Sequence, residues 1–392
     1  MPLPNPVILV PGVIATDLRD LYTFPPERIW SLLSQEFKRA GLHPEDTRYE
    51  GELPAQVRPD QVFEVAYKEM VLDLRHDLSD HADKPVPVYI FGYDWRQPLE
   101  VSQRQLAAFI QEVIAKTTLT SHYFADGYAG PLRRKVNLVG HSMGGLVVAG
   151  YLAGVGANCP VERVATIAAP FKGSFNAVEK IVKGTTNRRE REASRLTPAL
   201  YHLLPSFAQG IVIDPALPQS NMFDERLWQS SVTATIQEAL RLRGSGARLP
   251  TPANAQAVLH DILAQAEAHR ATVDTLNPAV CGINAQEWLC VIGVEDKTQI
   301  AMRIEVRNGS PWFVLDDPGM ADDQPLPSWR TGDGTVPYSG ALPNFPTTQV
   351  VYTRDDFGLL ELREKLMDGF AALHGILPNM NKLQTRLVQH LR

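Results

Sequence analysis

The chain has 392 residues, 44% apolar and 21% charged, a composition that supports a large folded core and excludes disorder. A net charge of −6, from 38 Lys and Arg against 44 Asp and Glu, leaves no basic field to hold nucleic acid. The sequence has no run of about 18 apolar residues to span a bilayer, and its three cysteines, Cys159, Cys281 and Cys290, are too few for a disulfide framework.

The chain enters a predicted strand, Val7 to Val10, without the basic and hydrophobic leader of a secreted protein, so a cytoplasmic location is expected. The spacing of Cys281 and Cys290 leaves one bridge open. Residues 17–85 read as an insertion after the first strand, a candidate lipid-facing or membrane-facing subdomain. Within it Ile29, Trp30, Leu33 and Phe37 stand at helical spacing and predict a helix packed on the core. Strands are then expected at Val86 to Phe91, at Val136 to Val139 with a helix over Met143 to Leu152 behind it, and at Val164 to Ile167. From Phe171 to about Gln286 the strand rhythm stops, and a polar, Ala-rich, helical pattern with a turn cluster at Gly244-Ser245-Gly246 predicts a cap over residues 172–287. Inside the cap the charge-dense stretch Arg188 to Arg195 predicts a solvated helix face. Strands resume at Trp288 to Ile292 and Gln349 to Tyr352, with Met302 to Val306 as a hairpin partner. Alternating strands and helices predict one α/β domain over residues 1–392, a mostly parallel central sheet covered by helices and carrying a large helical cap.

Gly140-His141-Ser142-Met143-Gly144 fits G-x-S-x-G between an apolar strand and a helix, the context that gives this motif its meaning in α/β-hydrolases. A very tight strand-to-helix turn lifts the Ser142 hydroxyl above the sheet, and Gly140 and Gly144 remove the β-carbons that would collide. The same turn aims the Met143 N–H at the reaction centre, where it can hold an oxyanion. His141, adjacent to the nucleophile, points away from the hydroxyl and is read as packing.

A serine needs a histidine to take its proton and a carboxylate to orient that histidine, and in this fold the chain order is Ser, acid, His. Of the later histidines only His374 and His390 follow the last predicted strand; His374 is the candidate base, since His390 lies near the chain end. Asp333, between Gly332 and Gly334 in a loop able to turn sharply, is the candidate acid. Asp296 is its rival, because it follows the Trp288 to Ile292 strand directly; Asp316, Asp317, Asp322 and Asp323 lack comparable turn residues. This chemistry asks for no cofactor and no metal.

Four segments in order around the elbow resemble the lecithin:cholesterol acyltransferase family, which includes lysosomal phospholipase A2: Pro6-Val7-Ile8-Leu9-Val10-Pro11-Gly12, Tyr93-Asp94-Trp95-Arg96, Ala169-Pro170-Phe171-Lys172-Gly173-Ser174 and Gly332-Asp333-Gly334-Thr335-Val336-Pro337. The resemblance implies a triad of Ser142, Asp333 and His374, an oxyanion hole from the Val13 and Met143 N–H groups, and a structural role for Tyr93 to Arg96. It also implies a fatty-acyl ester substrate, phospholipid first, met in transient contact with a membrane surface. The chain departs from the family where Val13-Ile14-Ala15-Thr16-Asp17 follows Pro11-Gly12 in place of a Gly-rich run, and no cysteine precedes Cys159. The expected activity is acyl hydrolysis or acyl transfer through an acyl-enzyme on Ser142, with a soluble carboxylesterase or a non-catalytic binding protein as alternatives.

Overall fold

The computed structural model describes residues 2–31, 48–49, 53–54, 56–184, 188–207, 210–243, 249–315, 320–321, 324–325, 331–358 and 372–392. Six strands form the central sheet: β1 (Val7–Val10), β2 (Val88–Ile90), β3 (Val136–His141), β4 (Val161–Ile167), β5 (Trp288–Gly293) and β6 (Thr348–Tyr352). Their order is β6-β5-β4-β3-β1-β2, and every pairing is parallel. Parallel strands are covered on both faces and therefore read as continuous apolar runs; β1, β3 and β5 are buried at every position.

The helices that frame the site are α1 (Glu64–Asp77), α2 (Leu99–Thr118), α3 (Met143–Val155), α4 (Phe175–Val182), α5 (Arg188–Arg195), α6 (Ser230–Arg243), α7 (Pro252–Asp274) and α8 (Asn381–Leu391). Side chains alternate across each strand, so Val7 and Leu9 join α1 and α8 in one core while Ile8 and Val10 join α2, α3 and the helices after residue 174 in the other. Each fully buried Leu or Val contributes about 1.5–3 kcal/mol, and Leu383, Leu387 and Leu391 clamp α8 to the sheet in this way. Asn137, a polar residue inside β3, is satisfied at both ends: it donates to the Leu391 carbonyl and accepts from the Arg163 N–H. Helix α3 is buried all round over Met143 to Leu152, with α2 and α7 packed against it.

Several expectations are corrected. Ile29 and Trp30 lie in a strand, Glu27–Trp30, paired antiparallel to Thr16–Asp20, which in turn pairs with Val57–Val62. Strand partners override the helical spacing there, and Leu33 and Phe37 fall outside the described residues. Met302–Arg307 joins no central strand; it pairs with Ser310–Leu315 and, parallel, with Ile211–Ile213, so the stretch after Phe171 does contain a strand. Helix α5 is not a solvated face throughout, since Glu190 and Arg195 are buried. Glu190 accepts from the Lys180 ammonium at 2.9 Å, and Arg195 spreads its fork over the Ile181 and Val182 carbonyls at the end of α4, the Ser231 carbonyl and the Thr235 hydroxyl. All three cysteines are free, and Cys281 directs its thiol at the Leu152 and Gly156 carbonyls rather than at Cys290. The Gly244-Ser245-Gly246 cluster and Asp316, Asp317, Asp322 and Asp323 lie outside the described residues. No described helix is long and apolar enough to cross a membrane.

Candidate active site

Ser142 sits between the end of β3 and the first residue of α3, with φ 53° and ψ −129°. A non-glycine residue held there stores about 1–3 kcal/mol that the surroundings must offset. The close packing of this turn shows why glycines flank it. A β-carbon on Gly144 would lie 2.2 Å from the Val10 carbonyl oxygen, and one on Gly140 would lie 2.8 Å from the Gly145 backbone. Both obstacles are backbone and cannot rotate away. Gly144→Ala is therefore expected to destabilise the fold by about 2–3 kcal/mol, read as a lower denaturant midpoint; an unchanged midpoint would refute the steric argument.

The Ser142 Oγ lies 2.9 Å from the Nε2 of His374, and the Nδ1 of His374 lies 2.7 Å from Asp333 Oδ2. Asp333 is 1% exposed, and its other oxygen accepts the N–H groups of Thr335 and Val336 at 3.0 and 2.7 Å. With the carboxylate accepting a hydrogen bond from Nδ1–H, Nε2 is left as the acceptor that faces the serine hydroxyl. A second tie, from the His374 N–H to the Asp333 carbonyl at 2.9 Å, sets the two residues' backbones together.

Asp296 stands close by and takes a different part. Arg354 binds it in a forked pair at 2.5 and 2.7 Å, and its Oδ2 also accepts the Leu373 N–H at 2.8 Å. Its backbone meets the acid loop as well: the Asp296 N–H donates to the Gly332 carbonyl, and the Thr331 hydroxyl donates to the Asp296 carbonyl. Asp296 thus braces the loops that carry Asp333 and His374 and does not touch the imidazole. His390 lies away from the serine, its Nε2 2.9 Å from the Val164 carbonyl.

The loop after β1 is held from several sides. The Tyr93 hydroxyl donates to the Pro11 carbonyl at 2.8 Å, the Trp30 indole N–H to the Ile14 carbonyl at 3.2 Å and the Trp95 indole N–H to the Thr16 carbonyl at 3.0 Å. These ties surround Ile14, a β-branched residue at φ 58°, a conformation that persists only where neighbours enforce it. Asp94 and Arg96 form a buried forked pair that fixes the turn between the two aromatic donors. The Tyr93 to Arg96 segment therefore acts as a clamp on the loop. Val13 lines the cavity, its N–H has no acceptor among the described residues, and the Met143 N–H belongs to a first helical turn, whose donors lack intrahelical partners.

Ser142 and His374 open onto a cavity of about 710 Å³. Its wall is largely apolar, with Val13 and Ile14 from the clamped loop, Phe63 before α1, and Leu200 and Leu203 after α5; Lys180 of α4 is the one Lys, Arg, Asp or Glu among the described lining residues. Sequence reasoning missed three polar participants: Asp296 as a brace, Tyr67 of α1, whose hydroxyl lies 2.7 Å from His141 Nδ1, and His141 itself, whose Nε2 lies 3.0 Å from the His374 carbonyl. Tyr67 carries no local signal, because at its position in α1 a tyrosine and any core aromatic look alike.

The model of the lecithin:cholesterol acyltransferase family matches residues 85–242, a span that holds Tyr93 to Arg96 and Ser142 and stops before Asp333 and His374. The resemblance read from the motifs is borne out over that span. Among curated proteins none matches the chain. A chain in the crystal structure of the Tle4-Tli4 complex is similar to this one at 15% identity with a TM-score of 0.64, covering 100% of this chain and 98% of that one. A likeness of this extent shows the fold, and the chain has the α/β-hydrolase fold expected of it.

Proposed function

We propose that the chain is a serine acyl hydrolase or acyltransferase for fatty-acyl esters of lipids, with Ser142 as nucleophile, His374 as general base and acid, and Asp333 as the carboxylate that orients it. The observation that carries this reading is the unbroken line from Asp333 Oδ2 through the His374 ring to Ser142 Oγ, at 2.7 and 2.9 Å, opening onto an apolar cavity. The match over residues 85–242 supports acyl hydrolysis or acyl transfer on lipid esters in general.

In the proposed reaction His374 takes the Ser142 proton as the oxygen attacks the ester carbonyl. The oxyanion of the tetrahedral intermediate is held by the Val13 and Met143 N–H groups, a contribution of the kind that changes rates about 10²–10³-fold per donor. His374 then returns the proton to the leaving alcohol, and water or a second alcohol releases the acyl group. The helices from α4 to α7 serve as the cap of the acyl site: Ala177 and Lys180 of α4, with Leu200 and Leu203, supply one wall of the cavity. Transient contact with a lipid surface delivers the substrate.

Two measurements test the proposal. A fluorophosphonate probe is expected to label the wild type at Ser142, because only an activated serine reacts quickly. Incubation with phosphatidylcholine vesicles plus a long-chain alcohol, followed by mass spectrometry, is expected to yield lysophospholipid with free fatty acid or alkyl ester. No labelling of the wild type would overturn the enzyme reading. Labelling with turnover of p-nitrophenyl butyrate but no lipid product would make the chain a soluble carboxylesterase.

A further inference from the structure

His141 and Tyr67 stand beside the triad and line the same cavity, and neither has a part in the reaction just described. Both are buried: Tyr67 is 1% and His141 5% exposed. The Tyr67 hydroxyl accepts the Gly12 N–H at 3.0 Å and lies 2.7 Å from His141 Nδ1, and His141 Nε2 lies 3.0 Å from the His374 carbonyl oxygen. One assignment of protons satisfies every contact. The Gly12 N–H donates to the Tyr67 oxygen, the Tyr67 O–H donates to Nδ1, and the Nε2–H donates to the carbonyl of His374. Burial supports it from both ends, holding the Tyr67 phenol above its ordinary range and, with the nearby His374 ring, lowering His141 to about 3, so both groups stay neutral.

The line has a functional geometry. Gly12 immediately precedes Val13, one proposed oxyanion donor, and His374 is the proposed base. A β-carbon on Gly12 would lie 3.0 Å from Ser142 Cβ, so a small shift of this loop changes its distance to the nucleophile directly. We infer that Tyr67 and His141 are positioning residues that tie the oxyanion loop at Gly12 to the backbone of His374, so that the two arms of the site keep one spacing. The inference rests on the acyl-transfer reading above. It predicts that loss of the line lowers the chemical step, because a displacement near 1 Å far from the bond being made changes rates by about 10²-fold. Substrate binding, set by the apolar wall, stays in place.

The test uses the full chain and p-nitrophenyl butyrate, comparing wild type, Ser142→Ala, Tyr67→Phe, His141→Phe and His141→Gln, each with its denaturant midpoint. Tyr67→Phe keeps the ring and removes the hydroxyl; it is expected to lower kcat about 10–100-fold with KM within about twofold. His141→Phe keeps an aromatic ring of similar breadth and is expected to lose as much. His141→Gln offers an amide oxygen to Tyr67 and an N–H to the His374 carbonyl, and is expected to recover a large part of that loss. A folded Tyr67→Phe protein with kcat within twofold of wild type, a loss confined to KM, or a His141→Gln variant no better than His141→Phe would each overturn the inference. A wild type no faster than Ser142→Ala would overturn the enzyme reading and this inference together; a Ser142-dependent wild type matched by Tyr67→Phe would overturn the inference alone.

Discussion

Ser142→Ala is expected to lower kcat on a p-nitrophenyl ester by about 10⁵–10⁶-fold while leaving KM and the denaturant midpoint close to wild type. The size follows from the arrangement: the Oγ removed is the one atom that receives the line from Asp333 through His374, and without it the other members have nothing to activate. Alanine keeps the Cβ and so neither relieves nor adds to the backbone strain at φ 53°. Residual turnover of about 10³–10⁴ over water is expected from the oxyanion amides and binding alone. Turnover within tenfold of wild type would show that another group carries the reaction.

Asp333→Asn is the second large effect, about 10⁴-fold in kcat with the fold retained. An asparagine amide of similar shape still fits the pocket formed by the Thr335 and Val336 N–H groups. Those two donors hold the side-chain oxygen, which turns the NH₂ toward His374 Nδ1. The imidazole must then accept there and keep its proton on Nε2, where the serine needs an acceptor. Asp296→Asn supplies the comparison. It weakens the forked pair with Arg354 and the hold on the Leu373 N–H, so a smaller fall in rate, about tenfold, is expected together with a lower denaturant midpoint. Equal losses in kcat for the two variants, with both proteins folded, would remove the distinction drawn here between an orienting carboxylate at 333 and a brace at 296.

The parts of this site readable in the sequence were those with short-range causes. The elbow is announced by Gly140 and Gly144, because the backbone of one turn demands them. The strands β1, β3 and β5 are announced by apolar runs, because a parallel strand is covered on both faces. Asp333 is flanked by glycines at φ 153° and 90°, a local need as well. What stayed hidden depends on partners far along the chain. Ile29 and Trp30 mimic a helix until Thr16–Asp20 pairs with them. Arg195 looks solvated until the end of α4 and Ser231 meet its fork. His141 reads as packing because its partner, Tyr67, is 74 residues away, and Asp296 reads as a rival for the acid because the bonds that engage it come from 354 and 373.

The double tie between Asp296 and the loop at 331–332 has a bearing on where the proposed acid is placed. The Asp296 N–H bonds the Gly332 carbonyl and the Thr298 hydroxyl accepts the Gly334 N–H, so the two ends of everything between 298 and 331 are stitched side by side. Those bonds, made at 296, 298, 331, 332 and 334, hold the loop of Asp333 against the segment that leaves β5. The carboxylate proposed as the acid is thus placed by a parallel bridge between Asp296 and Asp333, one short step beyond the end of β5.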